Sequence, residues 1–249
     1  MSEAAEDMRF HRVRRLVGEE AFDALAGKRC IVFGIGGVGG WTAEALVRSG
    51  VRDLTIVDAD RFAESNINRQ PFALSSTIGR EKVEVARERL LDINPEAKIT
   101  ALCKRYDSST AEDFDLESYD YVVDAIDSLK DKALLILNAT SARRPKLFSS
   151  MGAALKMDPS RVSVAEFWKV KGCPLAAALR NKFKRSGQFP RKKFKAVYSD
   201  ELLKNLGPDE DTSGAMTFGK AAVNGAMVHI TALFGMTLAS LVVRDAFAR

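Results

Sequence analysis

Short apolar runs alternate with longer stretches of helical periodicity along the first part of the chain. The apolar runs predict five strands, at 29–33, 54–57, 98–103, 121–125 and 146–148. The longer stretches predict helices at about 38–49, 80–93 and 129–143. Strands that alternate with helices form βαβ units. The predicted fold class is therefore α/β, with a Rossmann-like, doubly wound and mostly parallel sheet.

Beyond Met151 the pattern becomes less regular. Two strands are predicted at 162–167 and 196–198, joined by a basic connection and followed by a polar loop to Ser213. Since 249 residues suit one full-sized core, we interpret the chain as a single domain. Its nucleotide-binding core is residues 1–150, and residues 151–249 form a C-terminal elaboration. The apolar stretch 221–243 is long enough to span a bilayer, but its polar interruptions favour a buried helix.

The composition is typical of a soluble protein in a reducing compartment. Hydrophobic residues make up 46% of the chain and charged residues 29%, as in ordinary globular proteins. The N-terminus is acidic and polar and lacks the apolar run of a secretory signal. The three cysteines are widely separated, which excludes a disulfide framework or a paired Cys-x-x-Cys zinc site. We therefore expect a cytoplasmic protein that is not embedded in a membrane.

Four glycines between the first predicted strand and the next helix are the strongest indication of a ligand site. They are Gly34, Gly36, Gly37 and Gly39. Glycines let the backbone turn sharply and approach a phosphate, and the N-terminus of the helix attracts negative charge. Asp58 lies 19 residues beyond Gly39, after the second strand, where a carboxylate can accept hydrogen bonds from ribose. The pattern predicts a bound nucleotide, either a dinucleotide or ATP.

Charged residues after the later strands favour ATP. Arg69 lies in the polar loop 66–70, and Lys82 follows thirteen residues later as an expected surface lysine of the next helix. A dinucleotide has little use for two further cations, whereas a triphosphate attacked at its α-phosphorus needs them. Asp127, after the fourth strand, can supply a carboxylate for Mg²⁺. Taken singly, these residues are typical of solvated charges and of a helix N-cap, so their shared position at strand ends favours a functional role.

Together these residues resemble the ATP site of the ubiquitin-activating type of adenylating enzymes, and the resemblance extends from about Arg9 to the C-terminus. It implies ATP and Mg²⁺ as cofactors. The implied ATP-binding residues are Gly34, Gly36, Gly37, Gly39, Asp58, Asn66, Arg69, Gln70 and Lys82. The implied catalytic residues are Arg12, Arg69, Lys82 and Asp127, of which Asp127 would bind the metal. In the dimers of this family, an arginine equivalent to Arg12 reaches the ATP of the neighbouring subunit.

Four stretches resemble one branch of this family, which dehydrates threonylcarbamoyladenosine in tRNA. They are residues 36–41, 124–128, 174–177 and 197–199. The resemblance implies adenylation of a threonyl carboxylate followed by cyclisation, with release of AMP and pyrophosphate. It also implies a tRNA substrate, a homodimer and sulfur-transfer proteins as partners. Activation of a ubiquitin-like or sulfur-carrier protein is the main competing function, but those branches typically carry two Cys-x-x-Cys pairs. A nicotinamide dehydrogenase and a non-catalytic nucleotide sensor fit the charged residues less well.

A basic segment is consistent with a nucleic-acid substrate. The net charge is only +5, but eight basic residues and no acidic one lie between positions 180 and 195. They are Arg180, Lys182, Lys184, Arg185, Arg191, Lys192, Lys193 and Lys195. Phe183, Phe189 and Phe194 are interleaved with them, a composition suited to phosphate contacts and base stacking. The alternative is a solvated charged loop.

Two of the cysteines have different expected surroundings. Cys30 lies in the first strand and is predicted to be a small core residue. Cys173 lies in the connection where some relatives carry a nucleophilic cysteine, and Lys169 and Lys171 are near enough in sequence to activate a thiolate. No histidine accompanies Cys173 in the sequence, so we favour an interpretation in which it has no catalytic role.

Overall fold

The computed structural model describes residues 8–207 and 224–247. Within these ranges seven strands form one sheet in the order β3-β2-β1-β4-β5-β7-β6. The strands are β1 Arg29–Phe33, β2 Asp53–Val57, β3 Lys98–Leu102, β4 Tyr121–Asp124, β5 Lys146–Ser150, β6 Val162–Glu166 and β7 Lys195–Ser199. All neighbouring pairs are parallel except β6 and β7, which are antiparallel. The predicted fold class is confirmed.

Helices cover both faces of the sheet. They are α1 His11–Val17, α2 Glu19–Ala26, α3 Gly39–Arg48, α4 Lys82–Ile93, α5 Leu129–Ser141, α6 Pro174–Ser186 and α7 Val228–Phe247. Apolar residues of α2, α3, α4 and α7 form the core on one face. Residues of α5 and α6 form the core on the other face. Parallel strands buried between two helical layers are typical of a doubly wound fold.

The second half of the chain differs from the prediction in one element. The segment that we predicted as a basic connection contains α6, which begins at Pro174. Ala176, Leu179 and Phe183 recur every three or four residues along α6 and are buried. These apolar residues have the spacing of an amphipathic helix, but the many basic residues between them make that spacing hard to recognise in the sequence. The predicted polar loop up to Ser213 extends beyond the described residues.

The C-terminal apolar stretch forms α7, which packs on the sheet and on α3. The predicted burial holds for one face of the helix, where Ile230, Phe234 and Leu238 are fully buried, whereas Met236 is exposed. At Gly235 an added Cβ would lie 2.5 Å from the carbonyl oxygen of Val38, so the two helices approach closely. Among the helices of the described residues, only α7 is long and apolar enough to cross a membrane. Residues 221–223 of the predicted stretch lie outside the described ranges.

Candidate nucleotide site at the carboxyl edge of the sheet

The glycine loop leaves the carboxyl end of β1 and passes close to two other strands. Gly34 has a positive φ of 88°, and its N–H donates to the carbonyl of Val57 on β2 at 2.8 Å. A Cβ at Gly34 would lie 2.7 Å from the carbonyl oxygen of Ala125, after β4. A Cβ at Gly39 would lie 1.7 Å from the carbonyl oxygen of Gly34. Only glycine fits at these two positions without moving the loop.

The glycine loop leads directly into the N-terminus of α3. This helix begins without a side-chain cap, so its first N–H groups have no side-chain acceptor at the N-cap. At Gly36 an added Cβ would meet nothing nearer than the Nε2 atom of Gln70 at 3.8 Å, which leaves the backbone accessible. An uncapped helix N-terminus beside accessible glycine backbone is suited to bind a phosphate.

Asp58 follows β2 and is tied to the glycine loop. Its Oδ2 atom accepts from the N–H of Ile35 at 2.7 Å, and its Oδ1 atom accepts from the N–H of Asp60 at 2.8 Å. Burial raises the pKa of Asp58, while Lys82 and these two backbone donors act in the opposite direction. The carboxylate predicted to bind ribose is therefore fixed in orientation beside the predicted phosphate loop.

Lys82 is in the first turn of α4, as predicted, but it is not a surface residue. Its side chain is only 8% exposed, and its Nζ atom lies 2.9 Å from Asp60 Oδ2 and 3.9 Å from Asp58 Oδ1. The turn after β2 folds back onto the start of α4, where the N–H of Lys82 donates to the carbonyl of Asp60. This tertiary contact buries the ammonium group and holds it at the predicted ATP site.

Arg69 and Asp127 come from separate loops and lie close enough to interact. Burial lowers the pKa of Arg69, and the nearby carboxylate of Asp127 raises it. The Nη1 atom of Arg69 donates to the carbonyl of Ser65 and to Asn68 Oδ1, each at 2.9 Å. Asp127 is exposed, and the N-cap of α5 is Ser128 instead. The structure therefore removes the alternative in which Asp127 is the helix N-cap.

Asn66 and Gln70 contribute to this loop in different ways. The Oδ1 atom of Asn66 accepts from the N–H of Ala63 at 3.2 Å, so the side chain shapes its own turn. Gln70 is buried beside Gly36, and its Oε1 atom has no hydrogen-bond partner within the protein. Buried acceptors are normally paired. An unpaired one at this position suits a ligand that donates a hydrogen bond.

A buried ion pair beneath this edge was not predicted from the sequence. Asp124, the last residue of β4, is fully buried and accepts from Lys132 Nζ at 2.7 Å and from Ser149 Oγ at 2.6 Å. Its second oxygen accepts from the N–H of Ile126 at 3.1 Å. The Asp124 carboxylate therefore fixes the start of the loop that carries Asp127.

Arg12 lies away from the glycine loop of its own chain. Two residues before it, Phe10 packs on Phe22 with ring centroids 5.4 Å apart. Phe22 in turn contacts Gly50, beyond the C-terminus of α3. Arg9 pairs with Glu96, just before β3, at 3.5 Å. These contacts place the start of α1 toward the amino edge of the sheet, opposite the predicted ATP site.

Comparisons with known proteins agree with this geometry. The sequence pattern of the ThiF family matches residues 10–244. The chain belongs to the ThiF family. It is 38% identical over 209 residues to the tRNA threonylcarbamoyladenosine dehydratase of Bacillus subtilis, and the match covers 81% of each protein.

Solved structures of the E. coli tRNA N6-threonylcarbamoyladenosine dehydratase resemble the chain closely. The ATP complex has a TM-score of 0.84 and 33% identity, and the match covers 99% of this chain and 96% of the other. The AMP complex has a TM-score of 0.84 and 34% identity, with 98% and 97% coverage. The similarity therefore includes the C-terminal half of the chain as well as the N-terminal half.

The basic segment of this ThiF-family chain is only partly available to a ligand. Phe183 and Phe194 are buried in the core, so the prediction that they stack on bases is wrong. They are buried because Phe183 on the apolar face of α6 and Phe194 just before β7 pack together in the core between α6 and the sheet. Arg180 donates to the carbonyls of Phe167 and Val170 at 3.3 and 3.0 Å. It has a structural role at this position.

The remaining cations of the segment are exposed, and so is Phe189. They are Lys182, Lys184, Arg185, Arg191, Lys192, Lys193 and Lys195. Lys192 also donates to the carbonyls of Arg143 and Pro145, at 2.7 and 3.3 Å, which orders its side chain. The segment therefore presents a basic surface with one exposed aromatic ring.

Both cysteines of interest are buried. Cys30 is fully buried in β1, which confirms the predicted core role, and burial raises its pKa. Cys173 is 3% exposed and packs in the apolar cluster with Phe167 and Val170. A thiol that is this inaccessible to solvent is poorly placed for nucleophilic attack, although the buried Lys156 lies close enough to interact with it.

Proposed function

We propose that this chain uses ATP to dehydrate threonylcarbamoyladenosine in tRNA. The main support is the convergence of an uncapped helix N-terminus, two cations and two carboxylates at one edge of the sheet. This edge belongs to a chain that resembles, over 99% of its length, the E. coli dehydratase solved with ATP. The cytoplasm, where the tRNA substrate is available, is the proposed location.

The first chemical step is adenylation. A carboxylate oxygen of the threonyl group bonds to the α-phosphorus of ATP, and pyrophosphate leaves. Backbone N–H groups at the start of α3 bind phosphate, and Asp58 orients ribose. Lys82 and Arg69 stabilise the charge that develops on the bridging and leaving oxygens. Gln70 accepts a hydrogen bond from the nucleotide.

Asp127 would bind Mg²⁺ in this site. Its exposed carboxylate lies at the same edge as the phosphate-binding loop and interacts with Arg69. No group of three or more His, Cys, Asp and Glu residues forms a metal cage within the described ranges. Mg²⁺ is usually held by one or two carboxylates together with substrate phosphates and water, and Asp127 would supply such a carboxylate. When bound, the metal supplies positive charge to the phosphates.

The second step is ring closure within the substrate. The carbamoyl group attacks the activated acyl carbon, and AMP leaves with one oxygen of the former carboxylate. The proton lost from the carbamoyl group passes to solvent. Because both reacting groups belong to one nucleotide, the step is intramolecular and needs no protein nucleophile. This agrees with the burial of Cys173.

The products formed from ATP test the adenylation step directly. Incubation with ATP, Mg²⁺ and tRNA that carries the modification should release AMP and pyrophosphate. Release should stop when the tRNA lacks threonylcarbamoyladenosine, since the acceptor carboxylate is then missing. ADP as the product would exclude an acyl-adenylate. AMP formed only when the C-terminal tail of a carrier protein is supplied would indicate activation of a sulfur carrier. The sequence has no Cys-x-x-Cys pairs, which argues against that function.

A homodimer in which Arg12 reaches the neighbouring ATP is part of the proposal. Because Arg12 lies far from the glycine loop of its own chain, Arg12→Ala and Lys82→Gln should complement each other. Each variant alone should be nearly inactive, and an equal mixture with exchanged subunits should recover about one quarter of the wild-type sites. Activity is measured after the heterodimer has been verified by two affinity tags.

Arg15→Ala is the matched control for this experiment, since Arg15 is exposed on the same helix. It should retain activity alone. No recovery in a verified heterodimer would mean that Arg12 does not act across the interface.

The exposed cations of the basic segment are proposed to contact tRNA phosphates. Replacing Lys184, Arg185 and Lys193 by Gln should weaken tRNA binding and flatten its dependence on salt. The slope of the logarithm of the association constant against the logarithm of the salt concentration is negative. Its magnitude should fall by about 2 to 3, because three phosphate contacts that release counterions are lost. The affinity for ATP should not change. Binding is measured by titration at several salt concentrations.

A control with the same loss of charge separates specific contacts from net charge. It replaces three cations outside α6 and β7, with Arg48→Gln, Arg87→Gln and Lys98→Gln. The control should keep most of the tRNA affinity. Equal effects in the two triple variants would favour the interpretation in which the basic segment is a solvated charged loop.

A further inference from the structure

A cavity of about 200 Å³ lies between α5 and α6, outside the nucleotide site. Ala133, Leu134, Leu137 and Phe183 form its apolar floor, and Lys130 and Lys182 lie at its rim. On α5 the contributing positions 130, 133, 134 and 137 follow the spacing of one helix face. Leu134 and Leu137 remain half-buried, so no described element covers this part of the face.

One end of the cavity lies at the edge of the sheet that carries the proposed reaction site. Lys130 is in the first turn of α5, three residues after Asp127. Ser108, which also lines the cavity, belongs to the loop that follows the carboxyl end of β3. Both positions are on the edge of the sheet where the nucleotide site is formed. A polymer substrate that reacts at this edge can extend from Asp127 onto the cavity.

The chemistry of the cavity selects a particular kind of ligand. The floor is apolar, the rim carries two ammonium groups and polar side chains, and no Asp or Glu is among the described residues that line it. This combination is complementary to a flat apolar ring whose neighbours on the chain are anionic. Proteins recognise RNA in this manner when an unstacked base enters a pocket and lysines contact the flanking phosphates.

We propose that this cavity receives a base of the tRNA adjacent to the reacting adenosine. Lys130 and Lys182 contact the phosphates on either side of that base. The inference rests on the proposed function, since it takes tRNA as the substrate. It adds a site for a second nucleotide that is distinct from the ATP site and adjoins the exposed basic surface of the 180–195 segment, with which it shares Lys182. The site would fix the position of the modified nucleotide relative to ATP.

The test combines a change in the RNA with a change in the cavity. The probe is a stem-loop RNA that carries threonylcarbamoyladenosine, with each neighbouring base removed in turn to leave an abasic nucleotide. For the wild-type protein, one of these removals should weaken binding by about tenfold. Leu134→Trp fills the cavity from a half-buried position in its floor and should weaken binding of the intact RNA to a similar extent. In this variant, removal of the same base should have no further effect.

Two further variants keep the result interpretable. Lys130→Gln combined with Lys182→Gln should weaken binding without enlarging any side chain, and ATP binding shows that each variant is folded. Lys184→Gln, on the same helix but outside the cavity, should weaken binding of intact and abasic RNA equally. The inference is wrong if Leu134→Trp responds to the abasic RNA as the wild type does, or if no neighbouring base matters. A wild-type protein that fails to convert the intact RNA would instead contradict the proposed function.

Discussion

Replacement of Lys82 by Gln should lower the rate of adenylation at saturating ATP by about 10²–10³-fold, the loss typical of a removed charge-stabilising group. The reason is the position of the ammonium group, which is buried and fixed by Asp58 and Asp60 before ATP binds. Charge that is already oriented stabilises a transition state without reorganisation. Single-turnover release of pyrophosphate measures the effect.

The burial of Lys82 means that stability must be measured beside activity. Loss of the ammonium removes the cation that opposes the raised pKa of Asp58, so some loss of stability is expected. Asp60→Asn is the matched control, because it breaks the same 2.9 Å ion pair and leaves Lys82 in place. If Lys82 were only structural, both variants would lose activity in proportion to the fraction unfolded. A hundredfold loss in a fully folded Lys82→Gln protein, with a much smaller loss in Asp60→Asn, is the expected result.

Replacement of Lys132 by Met should have the largest effect on folding. The Lys132 and Asp124 side chains are both fully buried and 2.7 Å apart. Removal of one partner leaves the other charge buried without compensation, which typically costs about 3–5 kcal/mol. Unfolding in urea gives the change in the free energy of unfolding.

Two companion variants test the cause of this loss. Adding Asp124→Asn to Lys132→Met removes the uncompensated charge and should recover a large part of the stability. Arg144→Gln breaks an exposed pair with Asp120, whose atoms are 3.0 Å apart, and should cost less than about 1 kcal/mol. A Lys132→Met variant as stable as Arg144→Gln would show that the buried pair contributes little.

The convergence of the residues of the candidate nucleotide site was largely predictable because most of them follow strands of a parallel sheet. Once the strands are recognised, their carboxyl ends must meet at one edge. The glycine loop, Asp58, Arg69, Lys82 and Asp127 therefore converge in the structure from separate parts of the sequence. Local sequence patterns together with the family resemblance were sufficient to select these residues.

The features that were not predicted depend on tertiary contacts. The burial of Lys82 requires the turn after β2 to fold back on α4. Asp124 is paired by side chains from α5 and β5, at separations that follow no local pattern. In α6, the basic residues concealed the apolar spacing that buries Phe183. Any role for Arg12 depends on a second subunit, which a single chain does not define.

The mass of the modified nucleoside tests the central claim most directly. The protein is incubated with ATP, Mg²⁺ and tRNA that carries threonylcarbamoyladenosine. The tRNA is then digested, and the masses of the nucleosides are measured by mass spectrometry. We expect this nucleoside to lose the mass of one water, in amounts equal to the AMP released. Adenylation followed by ring closure leaves no other product in the RNA. An unaltered nucleoside in a reaction that consumes ATP would contradict the account.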